Sequence, residues 1–145
     1  MKKSIYQITI ALLLMTLLAT QVKAENSGSN LYQKLGGQQT IELITKNLLI
    51  RLYEDDRIAF LFKDADKIDL HQKIVDQICM ETGGPCQYEG LDMVESHGGF
   101  EIKYSEFDAF VENFILALED AKVPFRLQNK VLAIFAPMRE DITYK

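Results

Sequence analysis

The chain reads as an all-α protein, on three observations. In four long segments apolar residues recur three and four positions apart, the period of one helix face. No segment alternates apolar and polar residues for long enough to make a strand. A glycine-rich stretch, Gly83 to Phe100, holds five of the eight glycines and divides two helical segments from two more.

The 145 residues allow one domain at most. Residues 1–24 read as a secretory signal peptide: Lys2-Lys3 at the start, a nearly pure apolar run from Ile8 to Ala19, and Val22-Lys23-Ala24 ending on a small residue. The run is too short to span a bilayer. An uncleaved N-terminal anchor is the alternative, and a lipoprotein anchor is excluded because no cysteine follows the run. Residues 25–30 are polar and read as a disordered leader. The folded domain is expected over residues 31–145, long enough for one core. The expected address is periplasmic or secreted. Removing the signal peptide removes three lysines, leaving 13 basic and 21 acidic residues, so the net charge moves from -5 to -8. An acidic chain without a basic stripe argues against nucleic acid and anionic lipid as partners, and no stable membrane association is expected after cleavage.

Leu31 to Leu35 is a helical turn stopped by Gly36-Gly37. Gln38 to Glu54 is a helix with Ile41, Ile44, Leu48 and Leu52 on one face. Asp55-Asp56-Arg57 turns a corner into the apolar stretch Ile58 to Phe62. Asp64-Ala65-Asp66 caps a helix that runs to about Thr82, with a broad apolar band from Ile68 to Cys79. Beyond the glycines, Ser105 is expected to cap a helix to about Ala121, carrying Phe107, Phe110, Val111, Phe114 and Leu118. Val123-Pro124 opens the last helix. For Cys79 and Cys86, seven residues apart across Gly83-Gly84-Pro85, two readings stand: a disulfide closing the turn, or two free thiols. There is neither a Cys-x-x-Cys redox pair nor a Cys-x-x-Cys-His haem attachment site.

The aromatic helix faces could be plain bundle core. A plain bundle joins its helices with about two to eight residues. Here Gly83 to Tyr104 intervenes, mostly glycine and polar residues, expected to be non-helical and containing one histidine, His97. So long an insert suggests helices spread around a cofactor.

From Leu31 to Ile142 the chain resembles the group I truncated haemoglobins. The residues that carry the likeness are Leu31-Tyr32-x-x-Leu35-Gly36-Gly37, Asp55-Asp56-Arg57-Ile58, Phe62, Gly83-Gly84-Pro85, Tyr88-x-Gly90, Met93, His97 and Phe107. Each is weak alone, and their order and spacing together are specific. The resemblance implies a two-on-two helical sandwich around haem b, with His97 as the proximal iron ligand. It implies that Phe62 packs on the haem plane. Tyr88, Met93, Val94, Phe100, Ile102, Phe107 and Phe110 are candidates for the proximal wall.

The ligand side departs from the family pattern. Ungapped counts put Leu49 where many members have tyrosine, and Leu70, Lys73 and Ile74 at positions that often carry glutamine or histidine. The expected ligand pocket is mostly apolar, with Gln77 the best remaining hydrogen-bond donor. His71 lies within the apolar band and is either a second iron ligand or a histidine of the helix pair.

The function implied is reversible binding of dioxygen, carbon monoxide or nitric oxide at five-coordinate iron, with weak oxygen retention. The alternatives are nitric oxide dioxygenation or peroxidase-like chemistry fed by an external reductase, and a six-coordinate His71/His97 electron-transfer or sensor module.

Overall fold

A computed structural model describes residues 29–145. The expected signal peptide, and the expected leader up to residue 28, lie outside the described residues. Asn30, expected in the leader, caps the first helix by accepting from the Gln33 N–H at 2.9 Å. Such a cap contributes about 1 kcal/mol.

Seven α-helices follow: α1 Leu31–Leu35, α2 Gln38–Glu54, α3 Lys67–Glu81, α4 Met93–His97, α5 Tyr104–Asp120, α6 Phe125–Phe135 and α7 Arg139–Ile142. Single 3-10 turns occupy Ala59–Phe62 and Ala136–Met138. No strand occurs among the described residues. The architecture is the two-on-two sandwich: α2 packs with α3, α5 with α6, and α2 crosses α5. Ile41, Ile44, Leu48 and Leu52 of α2 are fully buried, as their spacing predicts. They meet Val75 and Ile78 of α3 and Phe114, Ala117 and Leu118 of α5 in one core.

Three boundaries differ from expectation. Ser105 does not cap α5. The cap is Lys103, two residues earlier, and Glu106 folds back to accept from the Lys103 N–H at 2.8 Å. The insert after Gly83 is not wholly irregular, because α4 forms inside it with the Asp92 carboxylate accepting from the Glu95 N–H. The last helix stops at Phe135 because Pro137 has no N–H to continue the ladder, and a short α7 follows.

Cys79 and Cys86 are joined, with 5.8 Å between their Cα atoms. The bond ties the buried end of α3 to the loop leading to α4. Closing a loop of this length contributes about 2 to 3 kcal/mol.

The corner after α2 is held by charge. Asp55 accepts from the Arg57 Nε at 2.9 Å, the Arg57 Nη2 at 2.8 Å and the Asn113 Nδ2 at 2.6 Å. Arg57 also pairs with Glu112 of α5 at 2.7 Å. The Arg57 guanidinium and the Asn113 amide hold the Asp55 carboxyl well below the usual carboxylate range. A carboxylate depressed in the folded state stabilises fully above its unfolded pKa, about 4. That contribution is lost as pH falls from there toward the folded value. We therefore expect Asp55→Asn to lower the urea midpoint clearly at pH 6 and by much less near pH 2. Equal loss at both pH values would refute this account of the corner.

Candidate functional site

His97 is the last residue of α4. Its Nδ1 lies 2.8 Å from the Met93 carbonyl oxygen and 3.0 Å from Ser96 Oγ. The Ser96 hydroxyl donates to the Asp92 carbonyl at 2.6 Å. A carbonyl only accepts, so Nδ1 carries the ring proton in this arrangement. The neutral imidazole is then left with its lone pair on Nε2, the form that binds a metal.

The imidazole lines a cavity of about 330 Å³. Phe107, Phe110, Val111 and Phe114 of α5 form one wall, and Leu132 and Phe135 of α6 another. Phe114 and Phe135 meet edge to face across the two walls, 5.8 Å apart at 86°. Gln77 of α3 closes the opposite side. A second space of about 360 Å³, lined by Tyr88, Asp92, Val94 and Asp141 among others, shares Gln77, Met93 and Met138 with the first. The Gln77 Nε2 reaches both sulfurs, at 3.5 Å for Met93 and 3.7 Å for Met138. Three flexible side chains thus separate an apolar chamber from a polar mouth. At the other end Arg139 pairs with Asp108 at 2.9 Å and lies over the Tyr104 ring at 4.6 Å, and its Nε is buried without a partner.

The expected site residues divide. His97, Met93, Phe107, Phe110 and Gln77 meet in the chamber. Tyr88 and Val94 stand at the mouth. The Tyr88 hydroxyl donates to the Leu91 carbonyl at 3.0 Å, and burial pushes its pKa up. Phe100 is 53% exposed and lines neither space, so the structure does not put it on the proximal wall. Ile102 is buried but also lines neither. Lys73 is exposed and paired with Asp69 at 2.8 Å, which raises its pKa. Phe62, Leu70 and Ile74 pack half-buried against the core. Phe62 meets Tyr53 edge to face at 6.3 Å. Leu49 and His71 line a different groove, between α2 and α3.

The expected site omitted Val111, Phe114, Leu132, Phe135, Met138, Arg139 and Ile142, which also line the chamber. Phe107, Phe110, Val111 and Phe114 share one helix face, so the stripe itself was the signal for two of them. Nothing local marked Met138 or Arg139, which arrive through the turn at Pro137.

Residues 30–144 match the family described as Bacterial-like globin, and the chain belongs to that family. Within it, this is a truncated haemoglobin of group I. A group 1 truncated hemoglobin of Synechocystis is 33% identical over 115 residues, covering 73% of this chain and 89% of that protein. One from Tetrahymena pyriformis is 28% identical over 120 residues, 83% of this chain and 99% of that protein. The crystal structure of the Tetrahymena pyriformis truncated hemoglobin in its Fe(III) form superposes with a TM-score of 0.78 at 27% identity, covering 81% of this chain and all of that one. The 2/2 hemoglobin of Synechococcus, described in the cyanomet state and with covalently attached heme, gives a TM-score of 0.74 at 26% identity, over 79% of this chain and 98% of that one.

The cofactor of this family is haem with its iron, and the residues present fit it. Among the described residues no group of three or more His, Cys, Asp or Glu side chains could hold a bare metal ion. A lone imidazole in an apolar chamber suits a metal that arrives in its own macrocycle and needs one axial ligand. The apolar walls fit the faces of a flat ring, and Arg139 is the one cation that lines the chamber.

Proposed function

We propose that this globin binds dioxygen, carbon monoxide and nitric oxide reversibly at haem iron, with His97 as the proximal ligand and five-coordinate iron in the resting ferrous state. The observation that carries the reading is the His97 ring, with Nδ1 engaged by the Met93 carbonyl beside an apolar chamber. Haem iron supplies the open coordination position for the gas. The chain's residues supply the axial nitrogen, dry walls and one amide. His71 lines a groove apart from the chamber, which supports five- over six-coordination. Nothing in the attachment chemistry of the sequence favours a covalent link, so the group is taken as haem b.

Gln77 is the polar side chain that reaches into the chamber from α3, and its amide can donate to a polar ligand. A charge-assisted hydrogen bond is worth about 1.5–3 kcal/mol, roughly ten- to a hundredfold in affinity. Gln77→Leu is expected to speed oxygen dissociation by about that factor and to change carbon monoxide binding little. Stopped-flow measurement on the ferrous protein checks it. An unchanged oxygen off-rate would remove Gln77 from the ligand side. A ferrous spectrum of six-coordinate type would overturn the coordination proposed.

Export through the N-terminal leader to the periplasm or beyond belongs to the same proposal. The Cys79–Cys86 bond supports an oxidising compartment.

A further inference from the structure

The groove between α2 and α3 is built by two helical stripes. Lys46, Leu49, Ile50 and Tyr53 come from α2 at spacings of three and four, and Lys67, Ile68 and His71 face them from α3. It encloses about 480 Å³, within the range of small-molecule sites. Its body is apolar. Leu49 forms a buried wall, while Ile50 is 48% and Ile68 83% exposed at the lip.

Each wall also carries a cation. Neither Lys46 nor Lys67 forms an ion pair among the described residues, whereas Lys63, Lys73 and Lys103 each do. The Lys67 ammonium lies 4.4 Å over the Tyr53 ring, and the Tyr53 hydroxyl is buried without a hydrogen-bond partner. On a chain with an excess of acids, two cations with no carboxylate partner among the described residues, on one apolar groove, are a local reversal of charge.

We propose that this groove is a second binding site, for a free amphipathic carboxylate: an apolar chain against Leu49, Ile50 and Ile68, and an anionic head held by Lys46 and Lys67. A neutral apolar ligand would leave the lysines idle. An amphipathic cation would meet like charge. The site is separate from the haem chamber and does not depend on which gas is bound there.

The test is calorimetric titration of the haem-loaded full-length protein with decanoate, with decanol as the uncharged control. One saturable site is expected, with decanol bound about tenfold more weakly. Lys46→Gln and Lys67→Gln should each weaken decanoate about two- to fivefold and leave decanol unchanged. Both substitutions are at exposed positions, so the fold should survive, and the Soret band checks that it does. Equal affinity for decanol, or unchanged decanoate binding in both variants, would overturn the proposal. So would decanoate binding that shifts the Soret band and ignores the lysines, because that places the ligand in the haem chamber. Lysine-dependent binding to phosphatidylglycerol vesicles without decanoate binding would overturn it in favour of a membrane surface.

Discussion

His97→Ala is expected to abolish stable haem retention. Under the proposed assignment His97 supplies the only protein bond to iron. Loss of a partner that merely orients a metal ligand costs about ten- to a hundredfold in affinity, so loss of the ligand itself should cost more. The wild-type Soret band should be absent after gel filtration. The apolar walls remain, so the cavity left by the side chain should accept free imidazole, and added imidazole should restore the band. Far-UV circular dichroism separates this result from a failure to fold. A Soret band of wild-type position and intensity in His97→Ala, without imidazole, would dismiss His97 as the ligand.

The second large effect is expected at Gly84. A Cβ there would stand 2.5 Å from Cys79 Sγ, 2.6 Å from the Tyr32 ring and 2.8 Å from the Cys79 carbonyl oxygen. That carbonyl accepts the Gly84 N–H at 2.7 Å and cannot retreat without losing the bond. The sulfur is tied in the disulfide, and the Tyr32 N–H donates to the Thr82 carbonyl at 2.9 Å. None of the three neighbours is the free end of a flexible chain. Gly84→Ala is expected to cost roughly 3 kcal/mol, the upper part of the range for overpacking. Thermal unfolding should fall by about 10 °C or more. Gly99 is the useful contrast, with φ of +83° and nothing within 4 Å of the added atom. Gly99→Ala carries only the backbone penalty, about 1 to 2 kcal/mol. Equal losses at the two sites would show that contact around Gly84 is not what requires glycine.

The two glycines also show what could be read from the chain. Helical spacing placed α2 and α3 almost to the residue, because each has a polar start and a regular apolar face. α4 escaped notice, although Asp92 followed by Glu95 is a capping pattern. A five-residue helix has too few turns for periodicity to register. At the site, motif order and helix register pointed at His97, Met93, Phe107 and Gln77, and these four side chains line one chamber. Leu49, Leu70 and Ile74 were located along the chain but not in direction: the structure turns Leu49 to the groove and packs the other two against the core. Phe100, a candidate for the proximal wall under the resemblance, is left 53% exposed after Gly98-Gly99. Arg139 and Met138 lie far from the motif in sequence, and only tertiary packing brings them to the chamber.

α4 carries one further consequence. It has too few residues to be stable as an isolated helix, and it packs chiefly on the still shorter α7. The α2–α5 crossing is held by the buried core and by the Asp55–Arg57–Glu112 charges. The two parts should therefore open at different free energies. Amide hydrogen exchange should be slow along α2 and α5 and fast from Met93 to Gly99, approaching the rate of unprotected chain when the cofactor is withheld. Haem could then leave by a local opening while the rest of the protein stays folded. How long the cofactor is held would be set by this one turn of helix and not by the melting temperature of the whole.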